Sequence, residues 1–95
     1  MRGQELLTFV VYDIVDDRVR GRVANTCKDY GLERMQYSAF RGPLDASRRS
    51  ELAARLADTL GKEVGKILVL SVCERDVRAR REFINEPQAE AAANE

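Results

Sequence analysis

Histidine is absent from this chain, and cysteine occurs only at Cys27 and Cys73. Without histidine the commonest general base is missing, and so are zinc sites that use an imidazole ligand. Any bound metal is then expected to be a hard, oxygen-held ion, magnesium or manganese. Two cysteines are too few for the disulfide framework of a small secreted protein, so both read as buried thiols of a cytoplasmic protein. No apolar run reaches the ~18 residues of a membrane span, and the stretch from Met1 to Glu5 has no signal-peptide core. Sixteen basic residues balance sixteen acidic ones. No overall charge draws the chain toward nucleic acid or membrane, and any such attraction must come from local clusters.

What is present fits one small globular domain. The chain has 95 residues, 44% of them hydrophobic, enough for a real core with little surplus. Residues 1–86 read as that domain, and 87–95, rich in alanine and glutamate, as a flexible tail. The organising stretch is Phe9-Val10-Val11-Tyr12-Asp13-Ile14, a β-branched and aromatic run that reads as a buried strand. Asp13 is its exception, because strands disfavour aspartate and an unpaired buried carboxylate is costly. It is either at the strand's exposed end or held by a partner, and the turn signal Asp16-Asp17 favours the strand end. A carboxylate there is well placed to hold a metal; equally, it can cap or hydrogen-bond the next helix.

From Glu5 to Ile14 the chain is a strand, and from about Asp17 to Tyr30 a helix, with Asp16 or Asp17 as its N-cap. Val19, Val23, Cys27 and Tyr30 form its buried stripe, and Gly31 stops it. Arg18, Arg20, Arg22 and Lys28 lie on the other faces. Leu32 to Leu44 must hold a short strand and a longer one. Asp45 caps a second helix to about Leu60, with Leu52, Leu56 and Leu60 inward, and Gly61 ends it. Ile67 to Val72 reads as a second buried strand. The order β-α-β-β-α-β is the α+β, ferredoxin-like arrangement, an antiparallel sheet with both helices on one face. The other face then lacks a cover, which points to a second copy of the chain. Arg75, Arg78, Arg80 and Arg81 make the following segment basic, and Arg80 to Ile84 is expected as a short fifth strand.

These residues together resemble a known family. Tyr12-Asp13-Ile14 and Asp16-Asp17 are followed by Arg20 and Arg22, then Tyr30-Gly31-Leu32-Glu33-Arg34, Gln36-Tyr37-Ser38, Phe40, and Leu70 to Arg75. The pattern, over about residues 5–84, closely resembles the small CRISPR-associated Cas-two family, partner of the Cas-one integrase in spacer acquisition. The resemblance implies a homodimer formed through the sheets, with the C-terminal strand pairing onto the partner's sheet. It implies a metal-dependent endonuclease acting on single-stranded RNA or double-stranded DNA in antiviral defence, or alternatively a non-catalytic DNA-binding scaffold for the integrase. It makes Asp13 the catalytic, metal-binding aspartate, and Tyr12, Arg20, Arg22, Arg34 and Phe40 substrate-binding residues. Ala39, where the family more often has valine, and the tail depart from its pattern.

The chemistry is consistent with those expectations. One carboxylate rarely holds magnesium, but two Asp13 side chains facing each other across a two-fold axis can. The arginines suit phosphate, or simply form a solvated helix face. Phe40 can stack on a base or pack in the core. A regulatory or RNA-recognition sheet is a further reading, but the stacking aromatics of such a sheet are missing.

Overall fold

The computed structural model describes residues 4–87. In order they form β1 (Leu6–Ile14), α1 (Asp17–Asp29), β2 (Glu33–Gln36), β3 (Ala39–Leu44), α2 (Ala46–Leu60), β4 (Gly65–Val72) and α3 (Glu74–Ala79). The four strands make one sheet in the order β2-β3-β1-β4, antiparallel at every pairing. This is the expected ferredoxin-like arrangement, with β1 as a central strand.

Period-two alternation in β1 decides where the core sits. Thr8, Val10, Tyr12 and Ile14 are buried beneath the helices, while Val11 and Asp13 on the opposite face are exposed. α1 contributes Val19, Val23 and Cys27 to that core, and α2 contributes Leu52 and Leu56. Phe40 and Leu44 of β3 complete it. Burial pushes the Cys27 thiol up to about 11, so it stays protonated and unreactive.

Local signals set the helix ends. Asp16 caps α1, accepting from the Val19 N–H at 3.0 Å. Asp45 caps α2, accepting from the Arg48 N–H at 2.8 Å. Beyond each helix a glycine with positive φ turns the chain, Gly31 at 78° and Gly61 at 53°, a conformation that costs glycine nothing.

Four features differ from the sequence-based expectations. β4 is not a buried strand: it is the sheet's edge, and Leu68 and Leu70 are 55% and 50% exposed on the uncovered face. Only one of the two cysteines is buried, because Cys73 lies beyond β4 at the N-cap of α3. Glu74–Ala79 forms a short helix, in which Glu74 and Arg78 pair one turn apart at 3.3 Å. Its Val77 stands with Leu7, Arg41 and Pro43 around a shallow cleft, so one end of the open sheet face is partly covered. Finally, the stretch from Arg80 to Ile84 forms no strand. A strand needs a neighbouring ladder, and what holds this segment is instead Glu82, which pairs with Arg80 at 2.8 Å and Arg41 at 3.4 Å. The tail expected over 87–95 lies, from residue 88 onward, outside the described residues.

Candidate functional site at the end of the central strand

Tyr12 and Asp13 are neighbours in β1, so their side chains leave opposite faces of the sheet. Asp13 points to the open face, is exposed, and stands across from Lys66 of β4. Val11, Lys66 and Leu68 line a shallow depression with it. Among the described residues no group of three or more aspartates, glutamates or cysteines is arranged to hold a metal. One chain therefore offers a single carboxylate here. The donor type fits a hard cation, and one carboxylate is at the low end of what such an ion takes from protein, with waters or substrate phosphates completing its shell.

On the helix-covered face Tyr12 is 4% exposed. Its ring stacks with Phe40 at 6.4 Å and 18° between planes. Burial raises the Tyr12 hydroxyl above its ordinary value, with the Arg34 guanidinium opposing that shift. Phe40 has no exposed surface, and the Arg34 guanidinium lies over its ring at 4.8 Å, a favourable cation–π contact. A ring so enclosed has no face to offer a base. The stacking role considered for Phe40 does not fit this placement; it is a platform that orients Arg34. Arg34 also donates to the Tyr37 carbonyl across the turn between β2 and β3, next to the irregular register between Arg34 and Gln36.

On this helix side Arg20 and Arg34 line a second depression, distinct from that of Asp13, together with Tyr12, Asp17, Gly21, Ala24 and Tyr37. The Arg20 guanidinium is well occupied. One nitrogen donates to the Ile14 carbonyl at 3.0 Å and the Val15 carbonyl at 3.2 Å, and the other pairs with Asp17. Arg22 is exposed on α1, as is Arg18.

The six residues singled out in the sequence thus fall into three places. Tyr12, Arg20, Arg34 and Phe40 gather on the helix side, Asp13 stands alone on the open face, and Arg22 lies out on the helix. Two neighbours had no role assigned from sequence. Tyr37, 74% exposed at the mouth of the arginine depression, was visible inside the motif. Lys66 was not, because only strand register brings it opposite Asp13.

Residues 6–80 match the protein family described as CRISPR associated protein Cas2. The chain is 44% identical over 92 residues to the CRISPR-associated endoribonuclease Cas2 of Desulforudis audaxviator, covering 92% of this chain and 87% of that protein. It is 38% identical over 81 residues to a CRISPR-associated endonuclease Cas1/endonuclease Cas2 fusion of Thermoproteus tenax, covering 80% of this chain and 31% of the fusion. The crystal structure of Streptococcus pyogenes Cas2 has the same fold, with a TM-score of 0.69 at 20% identity, over 84% of this chain and 100% of that one. The chain belongs to the CRISPR-associated Cas2 family.

Proposed function

We propose that this protein is a metal-dependent endonuclease of CRISPR spacer acquisition, cutting single-stranded RNA or duplex DNA as a homodimer. The observation that carries the reading is Asp13: an exposed carboxylate at the end of a central strand, on the sheet face opposite α1 and α2. Its apolar surroundings, with Val11 44% and Leu68 55% exposed, suit a sheet-to-sheet contact between two copies. Such a contact puts two Asp13 carboxylates near one axis, an oxygen pair able to hold magnesium or manganese. When bound, that ion supplies Lewis-acid activation of the phosphodiester. The chain's own contributions are the paired carboxylates, which fix the site, and Arg22 and Arg34, whose guanidinium groups suit phosphate oxygens. The endoribonuclease name of the Desulforudis relative supports the activity, and the Thermoproteus fusion supports an integrase of the Cas-one kind as partner.

The test compares wild type with Asp13→Asn on single-stranded RNA and duplex DNA, in magnesium and in chelator. Cleavage only by wild type in magnesium is the expected result. Equal cleavage by both proteins would remove Asp13 from the chemistry.

A second reading is favoured by the separation of Asp13 from Tyr12, Arg20 and Arg34 on opposite faces of the sheet. It makes the protein a dimeric, non-catalytic scaffold that grips duplex DNA for the integrase. On that reading both proteins bind duplex DNA alike and neither cuts.

A further inference from the structure

Arg20 repeats a device found a second time in the fold. At the first strand–helix joint, Asp16 caps α1 and its carbonyl accepts from the Arg20 N–H at 3.0 Å. The Arg20 guanidinium then reaches back to the carbonyl of Ile14, the last residue of β1, at 3.0 Å. At the second joint, Asp45 caps α2 and its carbonyl accepts from the Arg49 N–H at 2.9 Å. The Arg49 guanidinium reaches back to the carbonyl of Leu44, the last residue of β3, at 2.6 Å. In both cases the arginine follows the capping aspartate by four residues. The second joint has no part in the candidate site, so Arg49 is a built-in control for what this arrangement does on its own.

The first joint has a particular need for the device. The ladder between β1 and β3 ends at Val11, with one further bond from the Tyr12 N–H to the Ser38 carbonyl at 3.0 Å. Beyond that point the strand end is tied to β4 on one side, through Asp13–Lys66, Ile14–Gly65 and the 3.3 Å bond from the Val15 N–H to Val64. On the other side Arg20 stands in for the missing strand, taking the carbonyls of Ile14 and Val15. With its second nitrogen on Asp17, three of the fork's five N–H donors are committed within the chain, which holds its plane against the strand end and not toward solvent phosphate.

We propose that Arg20 is a positioning residue and not a nucleic-acid ligand: it clips the first turn of α1 to the end of β1 and thereby fixes the strand end that carries Asp13. The proposal deepens the nuclease reading, since Asp13 matters to catalysis only on that reading, but the clip itself can be tested without any cleavage.

The experiment uses the full chain with Arg20→Gln, Arg20→Lys, Arg49→Gln and Arg22→Gln. Amide hydrogen exchange is followed over residues 13–16, and duplex DNA binding is measured across salt concentrations in chelator. Arg20→Gln and Arg20→Lys should both speed exchange at 13–16 by about tenfold, the factor that one or two lost hydrogen bonds produce. Arg49→Gln should leave that segment unchanged. The charge-keeping lysine should not rescue, because one compact ammonium cannot reproduce a fork that keeps one nitrogen on the two carbonyls and the other on Asp17. The salt slope of DNA binding should be unaltered by Arg20→Gln and should drop by about 0.9 for Arg22→Gln, as when one phosphate contact is lost. In cleavage, Arg20→Gln should lower kcat and leave KM in place. Unchanged exchange at 13–16 overturns the clip, and a salt slope that falls with Arg20→Gln overturns its separation from phosphate binding. If wild type neither binds nor cuts nucleic acid, the nuclease reading fails by itself, and the clip is still decided by exchange.

Discussion

At the scale of single residues, the short polar side chains do the most legible work. Asp16 was open to reading as an N-cap from its place between a strand and an apolar helical stripe, and it caps α1 through Val19. That bond from the Val19 N–H, above all, holds the Asp16 carboxyl below its ordinary value of 3.8. A carboxyl depressed in the folded state stabilises above its unfolded value, and the contribution is lost as pH falls through the folded one. Asp16→Ala should therefore lower the urea midpoint at neutral pH with an unchanged m-value. The gap between the two proteins should close as the pH is taken below 3.8. A gap that persists in acid would show that the carboxylate's charge is not what stabilises the helix. The arginines were less legible. Residue type alone does not tell a guanidinium committed to backbone carbonyls, as in Arg20 and Arg49, from an exposed one, as in Arg22. That distinction is made by where the preceding strand stops.

At the scale of elements, order and type could be read because period and punctuation agree. β1 alternates, α1 and α2 carry apolar stripes at helical spacing, and Gly31 and Gly61 end them. What escaped was context beyond a window. Ile67 to Val72 is as apolar as a central strand, and only the sheet order makes β4 an edge. α3 is too short for a periodic signal, although the Glu74–Arg78 spacing was there to be seen. The joint between β1 and β4 turns on Gly65. A Cβ at this position would lie 2.7 Å from the Asp13 carbonyl oxygen and 2.9 Å from the Ile14 Cα, both backbone atoms that cannot swing aside. Gly65→Ala should therefore push β4 off the end of β1. A destabilisation of about 1–3 kcal/mol is expected, as for other forced overpacking, measured by urea unfolding. A variant as stable as wild type would mean that the two strands can part there at no cost.

At the scale of the whole molecule, the sheet has one face under two helices and one face that α3 covers only at an end. The bare part presents Val11, Leu68 and Leu70, each between 44% and 55% exposed. Natural sheets rarely leave such a face and such an edge to water, which is the physical basis for proposing a dimer. Leu68→Glu should convert the solution species to half its mass by light scattering while the circular dichroism of the fold is kept. A variant that stays dimeric would move the interface elsewhere. The same substitution should abolish cleavage if two Asp13 carboxylates must meet, because a single copy holds only one.

The chain has no tryptophan and three tyrosines. Tyr12 and Tyr30 are 4% and 6% exposed, while Tyr37 is 74% exposed at the turn beside Arg34. The protein's intrinsic fluorescence is therefore two shielded emitters and one that a dissolved quencher can reach. Iodide or acrylamide added to the native protein reports on a single turn, without a label and without a mutation. A nucleic acid strand settling over Arg34 would shield that turn, so protection from quenching offers an optical titration of the depression itself.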